Sequence, residues 1–299
     1  MSPEKKGFRS GFAAIIGRPN VGKSTILNRL VGEKVAIVTQ KPETTRDRIQ
    51  GILTRGDAQV IFVDTPGIHK PKNLLGKQIT QAAKGTLLEV DLIIFVLDVT
   101  KGITPEDRII FGLVKAAKKP AILLINKVDL RSKALALPLI EESAKLYDFK
   151  EIIPASALVG DNMDVLLKKV IDNLPPGPKY FPDGQFTDKS ERFMAGEIVR
   201  EKALELTREE VPHSVAVFVE EFAERPKNLV YIRAVIFVER HSQKKILVGH
   251  RGRMLKAIGE TARRDIQKSL RRHAYLELWV KVHENWRKDP RALKILGYA

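Results

Sequence analysis

Residues 12–30 read FAAIIGRPNVGKSTILNRL, and this stretch decides the fold of the first part of the chain. It opens on an apolar run typical of a buried strand and closes on the beginning of a helix. Residues 17–24 between them match a phosphate loop, whose backbone N–H groups surround nucleotide phosphates at a helix N-terminus. Lys23 is predicted to reach the β- and γ-phosphates, and Ser24 to offer its hydroxyl to Mg²⁺. The predicted nucleotide contacts of this stretch are Gly17, Arg18, Pro19, Asn20, Val21, Gly22, Lys23, Ser24 and Thr25.

Short apolar runs alternate with helical patterns beyond this loop. Each run is nearly continuous, as expected for parallel strands that are buried on both faces. The alternation predicts an α/β domain of the P-loop NTPase type with a doubly wound sheet, which a helix at 164–174 completes. The runs lie at 60–63, 92–97, 121–125 and 152–154, and the amphipathic helices at 104–118 and 137–147.

Four residues directly after the run at 60–63 are predicted to face the γ-phosphate: Asp64, Thr65, Pro66 and Gly67. Asp64 is placed to hold a water ligand of Mg²⁺, because hard cations prefer oxygen donors. Gly67 can present its N–H to the phosphate without an intervening side chain.

Thr44 and Thr45 lie in a polar segment between the phosphate loop and this strand. A threonine hydroxyl here would complete the Mg²⁺ sphere only while the γ-phosphate is present, so GTP would order the segment and hydrolysis would release it. The alternative interpretation is that the pair consists of ordinary strand threonines.

The run at 121–125 ends in Asn126-Lys127-Val128-Asp129, which selects the base. Guanine presents donors at N1 and its 2-amino group, and the Asp129 carboxylate accepts both. Adenine lacks this pair of donors and would leave Asp129 unpaired. Lys127 would lie over the base, Asn126 would tie this loop to the phosphate loop, and a backbone N–H among Ser156, Ala157 and Leu158 would reach the guanine oxygen.

The second part of the chain concentrates positive charge. The formal net charge is +16, and between Arg240 and Arg272 eleven Lys and Arg residues stand against Glu260 and Asp265. Such a field favours phosphate backbones or anionic lipid, although a solvated helix face is the alternative.

Within the window lies Gly249-His250-Arg251-Gly252, followed by a helical pattern. A GxxG loop that clamps a nucleic-acid backbone is the signature of the KH domain. The predicted RNA contacts are Gly249, His250, Arg251, Gly252, Arg253 and Lys256.

A proline-rich break at 175–178 separates these two parts. We therefore predict a GTPase domain at 1–178, a linker at 179–190 and a smaller α+β KH domain with a C-terminal tail at 191–299. The elements of the last part follow the order α-β-β-α-α-β. Trp279, near its end, is predicted either to pack under the tail at 286–298 or to stack on a base.

The motifs at 17–24, 42–46, 64–67, 126–129 and 156–158 resemble the five G motifs of translation-factor-like small GTPases. The run 44–47 is similar to the switch segment of the subgroup that includes Era, Der and the tRNA-modification GTPase. In that subgroup the threonine just before Arg binds magnesium, which favours Thr45 over Thr44. Lys23, Thr45, Gly67 and Asn20 are the catalytic candidates.

One GTPase domain followed by a type II KH domain resembles the Era family of ribosome-assembly GTPases over nearly the whole chain. Further stretches of the chain strengthen this resemblance, at 239–240, 242–244, 278–282 and 292–298. It implies GTP or GDP and Mg²⁺ as cofactors, and small-subunit ribosomal RNA and the assembling subunit, not DNA, as partners. It also implies binding near the 3′ end of that RNA.

One position departs from signalling GTPases. Those proteins place a Gln directly after the glycine of the Asp64–Gly67 motif to orient the attacking water, and here that residue is Ile68. In the related subgroup the phosphate-loop Asn is associated with a bound K⁺ that replaces an arginine finger, and Asn20 stands at the matching position. Asn20 is otherwise interpreted as a tolerant turn residue.

Composition excludes several classes of function. The chain has no cysteine, so it has no disulfides, thiolate metal sites or thiol nucleophiles. It has neither a membrane-spanning run nor the apolar core of a secretory signal, so we expect a cytoplasmic protein. Two rivals remain: a GTPase peripheral to the inner face of the cell membrane, and a GTP-dependent RNA-modifying enzyme. The second domain shows no nucleophile, metal cluster or cofactor motif that would support the latter.

Overall fold

A six-stranded sheet forms the centre of the first part of the chain. The structure, a computed structural model, describes residues 7–39, 41, 48–68, 81, 85–130, 135–207 and 211–296. These divide into two compact units. The first contains 7–36, 48–68 and the described residues from 81 to 188, and the second contains 37–39, 41 and the described residues from 189 to 296. None of the helices in these stretches is long and apolar enough to cross a membrane.

The strands of the first unit follow the order β2-β3-β1-β4-β5-β6. All neighbours are parallel except β2 and β3, which are antiparallel. The residues of β3, β4 and β5 are buried throughout, as expected for strands covered on both faces. The strands are β1 Arg9–Ile16, β2 Ile49–Arg55, β3 Ala58–Asp64, β4 Leu92–Asp98, β5 Ala121–Asn126 and β6 Glu151–Pro154.

In the described part of this unit, helices follow β1, β4, β5 and β6, and the last three of these helices match ones predicted from periodicity. α2 begins at a capping box, in which the hydroxyl of Thr104 accepts from the N–H of Asp107 and the Asp107 carboxylate accepts from the N–H of Thr104. Buried Ile110, Phe111 and Val114 turn one side of α2 to the core. The helices are α1 Lys23–Val31, α2 Pro105–Ala117, α3 Ala136–Leu146 and α4 Met163–Asn173.

The edge strand β2 was missing from the sequence prediction. It joins β3 through the short turn at Gly56 and Asp57, and Gly56 adopts a φ of 57° that favours glycine. An edge strand is less buried than the strands inside the sheet, so β2 can carry polar residues. Three of them interrupt its apolar pattern, namely Gln50, Thr54 and Arg55. Composition alone therefore gave no clear sign of a strand.

Much of the predicted linker at 179–190 hydrogen-bonds to this sheet. The N–H of Ile52 donates to the carbonyl of Phe186 at 2.8 Å, and the N–H of Gln50 donates to Asp188 Oδ1 at 3.0 Å. The buried Gln59 amide oxygen accepts from the N–H groups of Tyr180 and Phe181. By these contacts the segment belongs to the first unit as far as residue 188.

The second unit is a three-stranded sheet with helices on one face. β7 and β8 are antiparallel, β8 and β9 are parallel, and the strand order is β7-β8-β9. The predicted order α-β-β-α-α-β is confirmed, with short helices added at α6 and α9. The elements are α5 Glu191–Leu206, α6 Val211–Ser214, β7 Ala216–Arg225, β8 Leu229–Val238, α7 His241–Val248, α8 Arg253–Leu270, β9 His273–Val282 and α9 Pro290–Ile295.

The core of the second unit lies between the sheet and α5, α7 and α8. α8 is strongly amphipathic, and its stripe of Ile258, Ala262 and Ile266 is buried against the inner face of the sheet. The same face receives Ile232, Ala234 and Ile236 of β8. This packing leaves the polar side of α8 and the loop before it exposed.

Candidate functional site

The phosphate loop connects β1 to α1, and its shape depends on glycine. Gly22 precedes α1 with a φ of 102°, and a Cβ there would lie 2.4 Å from Asn126 Nδ2. Asn126 uses that amide to donate to the carbonyl of Val21 at 2.7 Å. Gly22 is therefore needed both for the turn and for the close approach of the base-selecting loop.

Lys23 lies at the first position of α1 with its side chain almost fully buried. Its ammonium donates to the carbonyl of Arg18 at 3.0 Å. Burial lowers the pKa of Lys23 to about 8, and the nearby carboxylate of Asp64 offsets only part of that effect. The ammonium is thus held in place within the loop, where a phosphate would restore its preference for the charged form.

Nucleotide binding should therefore take up a proton in mildly alkaline solution. Bound phosphate favours the charged Lys23 and moves its pKa from about 8 back towards the ordinary 10.5. Between these two values the free protein is largely neutral at Lys23 and the complex is charged, so affinity should fall as the pH rises above 8. We expect an uptake approaching one proton near pH 9 and close to none near pH 6.5.

Calorimetry in buffers of different ionisation enthalpy measures this uptake directly. Lys23→Arg is the matched control, since arginine keeps its charge throughout this range. Equal uptake in the two proteins would assign the proton to another group.

Ser24 and Asp64 provide the oxygen atoms expected of a magnesium site. The Ser24 hydroxyl donates to Asp64 Oδ2 at 2.7 Å, and Asp64 is fully buried at the end of β3. A hydroxyl and a carboxylate beside a phosphate loop are the hard donors that Mg²⁺ requires, so these residues fit the ion. Thr45, the third predicted metal residue, and the neighbouring Thr44 lie outside the described residues.

The residues after Asp64 bring the γ-phosphate motif against the phosphate loop. A Cβ on Gly67 would lie 2.8 Å from the Pro19 backbone nitrogen, so the two loops meet closely. Thr65 has a structural role, because its hydroxyl donates to the carbonyl of Ile15 at 2.9 Å. Ile68 is buried and its N–H donates to the carbonyl of Gly17, so its side chain belongs to the core and does not orient water.

The residues predicted to select the base gather at the ends of β5 and β6. Asn126 Oδ1 accepts from the N–H of Ala157 at 3.0 Å, and the Ser156 hydroxyl donates to Asp129 Oδ1 at 2.5 Å. Asn126 therefore links this loop both to Val21 and to Ala157. Because the N–H of Ala157 already has an acceptor, a guanine oxygen would share it or use the N–H of the exposed Leu158.

Asp98, which belongs to none of the predicted motifs, joins the phosphate and base loops. Lys127 Nζ donates both to Asp98 Oδ2 and to the carbonyl of Asn20, each at 2.7 Å. Burial alone would raise the pKa of Asp98, but hydrogen bonds from Lys127 and Thr100 outweigh it and lower the pKa. Asp98 thus stays ionised and fixes the ammonium of Lys127 beside the loop.

Two arginines strengthen the same site. Arg18 Nε donates to Asp107 Oδ2 at 3.2 Å, which ties the phosphate loop to the start of α2. Arg29 of α1 donates to the carbonyls of Ala157 and Leu158 and holds the loop after β6. Asp98 ends a strand, as the predicted residues do, and that position is the signal that could have identified it. Arg29 lies within a helix and carries no comparable signal.

The GxxG loop joins α7 to α8 in the second unit. A Cβ on Gly249 would lie 2.7 Å from the Met254 Cβ, whereas Gly252 has open space around it but a φ of 79°. The N–H of Gly252 donates to the carbonyl of Gly249 at 3.2 Å. This tight turn leaves four predicted contacts exposed, namely His250, Arg251, Arg253 and Lys256.

A groove of about 410 Å³ opens beside this loop, between α8 and β9. Leu255 and Leu276 contribute apolar surface, Lys256 and Arg263 contribute two cations, and Glu260 contributes one carboxylate. Gly252 lies at one end of the groove, and Gly259 lines it without a side chain that would narrow it. A groove with an apolar floor and a basic rim suits unpaired bases and their phosphates.

Comparisons with known proteins agree with both parts of this description. A family model described as 50S ribosome-binding GTPase matches residues 12–127, and a KH domain model matches residues 210–287. The chain is 45% identical to Era in a crystal structure with MgGDPNP and nucleotides 1506–1542 of 16S ribosomal RNA. That match covers 98% of this chain and 99% of the other, with a TM-score of 0.95. A variant of Aquifex aeolicus Era bound to GDP and AlF4⁻ is 44% identical over 97% of this chain and 99% of the other, with a TM-score of 0.94.

Proposed function

This chain belongs to the Era family of GTPases, and from that we propose that it is a GTP-hydrolysing switch that binds small-subunit ribosomal RNA during assembly of that subunit. The observations that support the proposal are the phosphate-loop, Ser24–Asp64 and Asn126 contacts that meet in one unit, and a GxxG groove with exposed cations in the other. The Era structure with 16S ribosomal RNA supports that RNA as the ligand. The family model whose description mentions the 50S particle matches only residues 12–127, which lie outside the KH domain. It therefore gives no information about the RNA that the KH domain binds. A cytoplasmic location follows from this role.

Hydrolysis would proceed mainly by positioning and charge stabilisation, as is general for phosphoryl transfer. The N–H groups of 17–24 and the ammonium of Lys23 would stabilise the charge that develops on the phosphate oxygens. Gly67 would direct its N–H to the γ-phosphate, and water would attack the phosphorus to release GDP and phosphate. Ser24, Asp64 and Thr45 would hold Mg²⁺, which would neutralise part of the negative charge of the phosphates.

We further propose that K⁺ supplies part of the charge stabilisation, since Ile68 cannot orient water. Asn20 is exposed in the phosphate loop with a φ of 64°, a conformation that asparagine tolerates well. Its side chain would offer an oxygen to the cation near the phosphates. The same φ also suits a simple turn residue, so the two interpretations need a kinetic test.

We expect single-turnover hydrolysis to be about tenfold faster in K⁺ than in Na⁺ at equal ionic strength, well below the effect of an arginine finger. Asn20→Gly removes the side-chain oxygen yet keeps the positive φ, and it should make the two rates equal. Equal rates already in the unaltered protein would discard the cation and point to RNA or a ribosomal particle as the activator.

GTP should change the affinity for RNA if the protein is a switch. Residues 37–39 lead into the segment with Thr45, and within the second unit the N–H of Val38 donates to Glu201 of α5 at 2.9 Å. A change in that segment on GTP binding would reach α5 through this bond. Coupling of this kind typically changes an affinity by about 5- to 150-fold.

The test is a titration of single-stranded RNA from the 3′ end of small-subunit ribosomal RNA. It would be run with a non-hydrolysable GTP analogue, with GDP and without nucleotide, at one salt concentration. Identical dissociation constants in all three would contradict the switch. Anionic vesicles form the parallel arm, and binding to vesicles but not to RNA would favour the peripheral membrane GTPase.

A further inference from the structure

The edge strand β9 presents different residues to its two sides. Leu276 and Leu278 turn inward and line the groove beside α8. Tyr275, Glu277 and Trp279 alternate with them and lie on the outer face of the sheet. In the described order β7-β8-β9 this strand is the last, so only its own edge separates the groove from the outer face.

Two aromatic rings are exposed on that outer face. Tyr275 is 57% exposed and Trp279 is 54% exposed, which is unusual for such large side chains in a folded domain. The predicted packing of Trp279 under the C-terminal tail is wrong, because more than half of its side chain is exposed. Trp286 instead is fully buried and donates its Nε1 hydrogen to the carbonyl of Ser214 at 2.9 Å.

Internal contacts hold the exposed rings in place. Trp279 Nε1 donates to Glu277 Oε1 at 2.7 Å, and the Tyr231 hydroxyl donates to Glu277 Oε2 at 2.5 Å. Tyr275 stacks on Tyr231 with centroids 5.7 Å apart and planes 12° apart. Because the polar atom of Trp279 is already satisfied and Tyr275 is supported from one side, the free ring faces are ordered before any ligand arrives.

The charges around these rings are balanced. Three cations pair with three carboxylates there. Arg225 lies 3.6 Å and Arg233 3.0 Å from Glu221, Arg233 also lies 3.8 Å from Glu277, and Lys281 lies 2.9 Å from Glu220. The face therefore lacks the excess of cations that phosphates require, in contrast to the groove with Lys256 and Arg263. Flat, uncharged rings match it best, and nucleobases offer such a ring on every residue of a single strand.

We propose that Tyr275 and Trp279 form a second RNA subsite, on which unpaired bases stack after the strand leaves the groove and passes around the edge of β9. The proposal rests on the proposed function, since the groove must hold the strand first. Four residues of a strand span about 13 Å, so each ring takes a separate base. The phosphates stay near the cations of α8, and the rings add affinity for longer RNA.

Tryptophan fluorescence tests this directly, because the chain has only two tryptophans and Trp286 is buried. A single-stranded RNA of about four nucleotides fills a KH groove, and one of about ten reaches beyond it. We expect both RNAs to bind, and only the longer one to quench the emission of Trp279.

Alanine variants provide the second measurement. Trp279→Ala and Tyr275→Ala should each lower the affinity for the longer RNA by about fivefold or more. The affinity for the shorter RNA should stay unchanged. Trp279→Phe should retain most of the affinity, because phenylalanine still stacks. Ile295→Ala, which removes an exposed apolar side chain from α9, is the matched control and should have no effect.

The outcomes separate this proposal from the function it rests on. The subsite would be overturned if both alanine variants bind the longer RNA normally and that RNA does not quench the unaltered protein. RNA binding in the groove would be unaffected by that result. Failure of the shorter RNA to bind at all would overturn the RNA-binding function and the subsite with it.

Discussion

Replacing Gly252 by aspartate is expected to abolish measurable RNA binding while nucleotide binding stays intact. Gly252 lines the groove at the end of the GxxG loop, where a phosphate backbone would approach most closely. An added carboxylate would oppose that phosphate, and like charges in contact cost several kcal/mol, or more than about 100-fold in affinity. No described atom lies within 4 Å of a Cβ at this position, so the fold has room for the side chain.

Gly184→Asp is a closely matched control for this variant. Gly184 has a φ of 81° against 79° for Gly252, and its Cβ position is likewise open among the described residues. Both variants therefore add the same charge at the same backbone conformation, one in the groove and one far from the loop in sequence. RNA binding would be followed by fluorescence anisotropy. An equal loss of affinity in both variants would mean that the added negative charge acts through the net charge of the protein and not at the groove.

Asp129→Asn is expected to weaken GTP binding by roughly 2–4 kcal/mol, which corresponds to about a 30- to 1000-fold loss of affinity. The carboxylate is exposed at the end of β5 and is oriented by the Ser156 hydroxyl at 2.5 Å. Asparagine keeps an oxygen for Ser156 but loses the charge and one acceptor for guanine. Its amide can donate to the 2-carbonyl of xanthine, so affinity for xanthosine triphosphate should rise.

Measuring both nucleotides on one preparation makes this test independent of folding. A variant that loses GTP and gains xanthosine triphosphate has kept its site and changed only its selectivity. Asp57→Asn removes the same charge from the exposed turn between β2 and β3 and should alter neither affinity. Unchanged GTP affinity in Asp129→Asn would remove this residue from the base site.

The nucleotide site was predictable because each of its motifs is short and lies at the end of a buried strand. Val60 to Val63 and Ala121 to Ile125 are apolar enough to be recognised as strands, and in a parallel sheet their ends meet at one edge. Asp64 and Asn126 therefore had to converge on the loop of Lys23. Local spacing was sufficient, since the backbone positions each motif within a few residues.

The order of elements in the KH domain was predictable for the same reason. Its strands show alternation and α8 shows one apolar stripe, and both patterns arise from neighbours along the chain. Glycine at 249 and 252 was equally informative, because each lies at a positive φ that other residues adopt with strain.

Tertiary structure alone decided the contacts between residues that are distant in sequence. Asp98 pairs with Lys127, Arg29 holds the carbonyl of Leu158, and residues 186–188 lie along β2. These bonds depend on how separate strands and helices are brought together, and each residue by its type could equally have faced solvent. The same holds for the two tryptophans: Trp286 is buried and Trp279 is exposed because packing of the sheet and tail, rather than hydrophobicity, sets which ring has a surface to cover.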